Sequence, residues 1–155
     1  MQQGYPAVTE LVPHRGTMCL ISHILEDAVD ELVVGINIGA DHPFLVPGKG
    51  VPTYVGLEMM AQSICAKDGL NRLRAGEAPT IGFLLGCQRY HAYQDWIAVG
   101  ETLSARVRCR LDADELGSFE CELRAATGNV LAKGTISVYR PRDVDSFLAE
   151  SEVRA

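Results

Sequence analysis

The 155-residue chain lacks any uninterrupted apolar run of about 18 residues, the length a membrane-spanning helix needs. Its opening, MQQGYPAVTELVPHRG, lacks the basic flank and apolar core of a signal peptide. Basic side chains are also short: 14 Lys and Arg stand against 20 Asp and Glu, a net charge of −6 with no basic cluster. Nucleic acid and anionic membrane surfaces are therefore unfavourable partners. Paired cysteines are missing. The count is five (Cys19, Cys65, Cys87, Cys109, Cys121), odd and widely spaced, with no CxxC. That pattern predicts reduced core thiols in a cytoplasmic protein rather than a nucleophile. No HExxH or other ligand spacing points to a metal. Gly48-Lys49-Gly50 lacks the rest of a phosphate loop, and no GxSxG elbow occurs. Repeats and low-complexity segments are absent as well.

What remains is an ordinary globular composition, 47% hydrophobic and 22% charged, of a length that suits one domain. Residues 18–38 read as a hairpin: Leu20, Ile21, Ile24 and Leu25, a polar turn through residues 26–31, then Leu32, Val33, Val34, Ile36 and Ile38. Residues 40–51 hold Pro43, Pro47, Gly48 and Gly50, and predict a shaped loop. Pro52 opens a helix that is apolar nearly all round as far as Ala66, and such a helix is buried. It should end before Gly76. Residues 81–93 read as a strand. Leu103, Ala105, Val107, Cys109 and Leu111 alternate with Ser104, Arg106, Arg108 and Arg110, the signature of a strand with one solvated face. Phe119, Cys121 and Leu123 continue that pattern. After the Gly128-Asn129 turn signal, residues 130–139 form the last strand of an antiparallel meander.

Two strands, one dry helix and about four further strands predict an α+β chain in which a curved antiparallel sheet wraps around the helix. That arrangement is the hotdog fold. It is expected over residues 1–140, with 141–155 a charged tail that frays from the fold, apart from a short surface helix through Val144, Phe147 and Leu148. The open sheet edge predicts pairing with a second hotdog subunit, as a homodimer or a heterodimer.

One carboxylate stands among the apolar residues of the helix. Glu58 lies between Leu57 and Met59, where burial without a partner is costly and would raise its pKa, as suits a general acid. Gln62 shares its face at i+4. Of four histidines, His14 follows Pro13, His23 lies within the first strand, and His91 lies between Tyr90 and Ala92. His42 is singled out by position: it sits in the loop before the helix, between Asp41 and Pro43.

Two segments resemble a known family. Leu11-Val12-Pro13-His14-Arg15-Gly16 with Met18-Cys19-Leu20-Ile21 resembles the opening "LLPHR…FLLVD" of FabZ-type 3-hydroxyacyl-[acyl carrier protein] dehydratases. Pro52-Thr53-Tyr54-Val55-Gly56-Leu57-Glu58-Met59-Met60-Ala61-Gln62 resembles that family's helix "PGVLILEAMAQ". Leu84-Leu85-Gly86-Cys87-Gln88-Arg89-Tyr90 and Leu116-Gly117-Ser118-Phe119-Glu120 look like the ApeP-like branch, associated with aryl polyene biosynthesis. The resemblance implies elimination of water from a 3-hydroxyacyl thioester on an acyl carrier protein, with no cofactor. It also implies a loop His and a helix Glu from different subunits as catalytic residues. Glu58 matches the family Glu inside its motif. The family His stands fourteen residues before that Glu, where this chain has Phe44. His42 stands sixteen before it, and Thr53 replaces a glycine. On this reading His42 takes the C2 proton, Glu58 protonates the departing hydroxyl, N–H groups near Thr53 and Tyr54 polarise the carbonyl, and Met59, Met60, Phe44 and Tyr54 line the acyl tunnel. Arg106, Arg108 and Arg110 are candidates for a carrier-protein landing patch, with a solvated strand face as the plainer reading. The other expectations are a hotdog acyl thioesterase and a non-catalytic partner subunit of a heteromeric dehydratase.

Overall fold

The structure is a computed structural model, and it describes residues 4–154. Residues 1–3 of the opening segment and residue 155 of the expected tail lie outside them. In chain order the strands are β1 (His23–Asp27), β2 (Glu31–Asn37), β3 (Val51–Pro52), β4 (Phe83–Ala92), β5 (Trp96–Ile97), β6 (Thr102–Ala113), β7 (Leu116–Ala125) and β8 (Val130–Tyr139). The helices are α1 (Gly56–Arg74), entered through a short 3₁₀ turn at Thr53–Val55, and α2 (Val144–Arg154). Six strands form one antiparallel sheet in the order β1-β2-β6-β7-β8-β4, and β3 pairs with β5 beside it. The sheet packs against α1, which is the α+β hotdog arrangement.

Alternation explains most of the sheet. Leu103, Ala105 and Val107 of β6, and Phe119, Cys121 and Leu123 of β7, face α1 and are buried. Leu111 does not follow. The β6–β7 register slips between Cys109 and Leu111, so the phase changes and Leu111 ends 55% exposed. A second irregularity falls between Gln88 and His91 in β4, where Arg89 has φ 56°. Tyr90 in that bulge donates its hydroxyl to the Thr53 carbonyl at 2.6 Å and ties β4 to the entrance of α1.

Two glycines allow close approaches that side chains would block. A Cβ on Gly50 would lie 2.3 Å from the Ile97 carbonyl oxygen. One on Gly69 of α1 would lie 2.3 Å from that of Leu11. The second contact lays residues 8–12 directly on α1. Lys67, also on α1, is buried, and its ammonium donates to Asp27 Oδ1 at 2.6 Å, pinning the end of β1 to the helix. The tail expected to fray is held instead: Phe147 of α2 packs on Phe83 and Tyr139, with ring centroids 4.8 and 5.3 Å apart.

Candidate active site

Glu58 falls in the first turn of α1, on the face that continues through Ala61, Gln62, Cys65 and Asp68. That spacing is one helical stripe. The stripe forms one wall of a groove of about 190 Å³. The facing wall comes from Ile81, Phe83 and Leu84 at the start of β4 and from Val138 near the end of β8. Ala61 and Gly82 are small enough to leave the space open.

The expectation that Glu58 is buried is corrected here. Its side chain is 41% exposed, because its turn of the helix faces the mouth of the groove and the core lies under Met59 and Met60. Its environment is nevertheless built. Gln62, almost fully buried, donates from Nε2 to Glu58 Oε1 at 3.0 Å and to the Met18 carbonyl at 2.9 Å. Its Oε1 accepts the Leu20 N–H at 2.8 Å. One amide thus fixes the carboxylate and staples residues 18–20 to α1.

The same staple, with the Leu11–Gly69 contact, positions the segment between them. That segment carries His14, whose Nε2 lies 3.6 Å from Glu58 Oε1. Arg15 caps the turn by donating to the carbonyls of Val12 (2.6 Å) and His14 (2.8 Å). His14 Nδ1 is buried and makes no hydrogen bond. The single chain therefore brings Glu58 together with His14. The motif Pro13-His14-Arg15 carried the resemblance at sequence level, but nothing in the sequence placed its imidazole beside a carboxylate 44 positions later.

His42 lies elsewhere, in a second cavity with Gly16, Thr17, Cys19, Leu20 and Asp41. Its Nδ1 accepts the Phe44 N–H at 3.2 Å, so in the neutral ring the proton sits on Nε2. Burial holds its pKa below the ordinary histidine value, against the opposing charge of Asp41, and favours that neutral ring. A ring in this form donates from Nε2 and has no free lone pair there to act as a base.

The tunnel expected from Met59, Met60, Phe44 and Tyr54 is also corrected. Both methionines are fully buried in the core, while Phe44 and Tyr54 are 40% and 71% exposed. Helix packing faces the methionines toward the sheet, and the groove opens on the next stripe round. The Thr53 N–H is not free for a substrate carbonyl, since it donates to Asp95 O at 3.0 Å. The arginines of β6 are engaged too: Arg106 and Arg108 pair with Glu31 at 2.6 and 2.8 Å, and Arg110 pairs with Glu120. Cys65 lines the groove, but burial, with the charges of Asp68 and Glu58, pushes its thiol up to about 12. It is an inert wall. Among the described residues no group of three or more His, Cys, Asp or Glu is placed to hold a metal, and no helix is long and apolar enough to cross a membrane.

The hotdog scaffold thus carries a groove headed by a carboxylate and an imidazole, with an apolar wall running away from them. The chain belongs to the ApeP-like family, described as ApeP dehydratase, whose sequence model matches residues 6–149. Its assigned class of activity is accordingly dehydratase, a lyase. Among solved structures it is similar to the dehydratase heterocomplex ApeI:P from Xenorhabdus doucetiae, at 26% identity over 94% of this chain and 98% of that one, with TM-score 0.87. The E. coli PaaI protein of the phenylacetic acid degradation operon shares the fold at 16% identity and TM-score 0.58, covering 76% of this chain and 82% of its own. So does smu.793 from Streptococcus mutans, bound to acetyl CoA, at 11% identity and TM-score 0.59, covering 76% and 86%. Comparison with curated protein sequences finds no match.

Proposed function

We propose that this chain removes water from a 3-hydroxyacyl thioester carried on an acyl carrier protein, giving the trans-2-enoyl thioester, with Glu58 and His14 as the reacting pair. The observation that carries this reading is the 3.6 Å approach of the two side chains at the mouth of an apolar groove. The thioester lies across the mouth and the acyl chain runs down the groove. The His14 imidazole takes the C2 proton. Electrons move into the C2–C3 bond, and the C3–O bond breaks as Glu58 gives its proton to the departing hydroxyl, so one water leaves. Gln62 holds Glu58 Oε1 as an acceptor, which leaves Oε2 as the oxygen that carries the proton. This reading pairs Glu58 with His14 of the same chain, whereas the resemblance pairs it with His42 of another subunit. His42, as an Nε2 donor, suits polarising a carbonyl better than removing a proton.

Two further parts of the reading concern assembly and place. The similarity to a heterocomplex favours a second hotdog subunit as partner, over a chain that works alone. Five free thiols, one buried and four partly buried, suit the reducing cytoplasm. The test is product analysis: incubate 3-hydroxyacyl carrier protein, or its pantetheine mimic, with the chain and its partner subunit. A thioester lighter by one water is the expected result. Release of free acid identifies a thioesterase and overturns the reading. An unchanged thioester means a non-catalytic subunit.

A further inference from the structure

Asp68 and Arg140 also line the groove, and Asp68 stands ten residues along α1 from Glu58. At roughly 1.5 Å of rise per residue, that is about 15 Å from the reacting groups. The same two residues also line a neighbouring cavity of about 290 Å³, distinct from that of His42, with Arg72, Asp112, Asp114 and Arg142. The two spaces meet at this pair and differ in character. The first is walled mainly by apolar side chains. The second is walled by three arginines and three aspartates.

Arg140 is firmly held between them. Its side chain is only 15% exposed. Nη1 donates to Asp68 Oδ1 at 3.0 Å, and Nη2 donates to Asp112. Its backbone N–H donates to the Glu115 carbonyl at 2.6 Å. Asp68 in turn accepts from Arg72 at 3.1 Å, which anchors the far side of the pair. The Arg140 stem passes Gly82: a Cβ there would lie 3.5 Å from Arg140 Cγ.

We propose that the Asp68–Arg140 pair is the end wall of the acyl groove, and that Arg140 sets the longest acyl chain the dehydratase takes. The proposal rests on the reading of the groove as the acyl site. An acyl chain that fits ends against the guanidinium stem. A longer one must break a partly buried ion pair and push an apolar end among six charged side chains, and both steps are unfavourable. Arg140 here is a specificity-determining residue that never meets the reacting atoms.

The experiment uses non-reactive amide analogues of 3-hydroxyacyl-pantetheine in a series of increasing chain length, with binding read by calorimetry on the complex. Wild type is expected to gain affinity with each methylene and then lose it abruptly at one length. Arg140→Ala, which joins the two cavities, is expected to move that break to longer chains and to bind the first over-length analogue roughly tenfold tighter or more. Arg140→Lys keeps the charge on a slimmer head and serves where Arg140→Ala fails to fold, with a smaller shift in the same direction. A break at the same length in the folded variant overturns the proposal. Turnover is measured separately. Enoyl product with an unmoved break removes the wall and leaves the dehydratase reading standing. A moved break without enoyl product does the reverse.

Discussion

Glu58 and Gln62 form a unit at the residue scale. The two ends of the amide bind three groups: the Glu58 carboxylate, the Met18 carbonyl and the Leu20 N–H. Glu58→Gln keeps shape but removes the transferable proton. It is expected to lower kcat by roughly a hundredfold or more, the range for loss of a general acid, with little change in melting temperature because the side chain is half-exposed. Gln62→Leu should act differently. It strands a buried N–H and a carbonyl, each worth about 1–3 kcal/mol, so thermal stability and activity fall together. Thermal melts beside initial rates separate the two behaviours, and a Gln62→Leu variant of unchanged stability would contradict the staple.

At the scale of elements, the site depends on how closely the N-terminal segment lies on α1. Gly69→Ala places a methyl group 2.3 Å from the Leu11 carbonyl oxygen, so that segment must shift. The expected outcome is a destabilisation of about 2 kcal/mol and a loss of kcat, because His14 rides on the displaced segment. Tyr90→Phe removes only one hydrogen bond, to the Thr53 carbonyl, and should cost about 1 kcal/mol in urea unfolding. Periodicity made these elements legible. The dry helix after Pro52, the alternating strands β6, β7 and β8 and the surface helix at Val144–Arg154 all follow from spacing and turn residues. The bulge that exposes Leu111 did not, since one extra residue leaves no mark in an alternating pattern. Glu58 was legible as a misplaced carboxylate and as part of a motif. Its exposure was not, because which stripe of an apolar helix faces a groove depends on the sheet that packs against it. The approach of His14 depends on a carbonyl passing a glycine, a contact between distant parts of the chain.

For the whole molecule, the hairpin and the helix are joined by a buried ion pair with a defined pH signature. Burial alone would push the Asp27 carboxyl up, but hydrogen bonds from Lys67 and Arg74 outweigh it and hold Asp27 below its usual value of 3.8. A lowered carboxylate contributes stability that is present above its unfolded value and lost as pH falls through the folded one. Acid unfolding should therefore include a component below about pH 4 that Asp27→Asn abolishes. The same substitution should lower stability at neutral pH by about 3 kcal/mol, because Lys67 stays buried without its counter-ion. Stability of the two proteins followed from neutral pH to acid checks both statements.

The assignment of Glu58 and His14 as one reacting pair is the point on which the functional account turns. Rates of enoyl thioester formation by His14→Ala and His42→Ala, compared with wild type in the same assembled complex, test it most directly. The account predicts that His14→Ala loses roughly a hundredfold or more in kcat/KM while remaining folded, and that His42→Ala loses clearly less. Near-wild-type turnover by His14→Ala, with turnover abolished in His42→Ala, would contradict it and return the proton-abstracting role to the loop histidine.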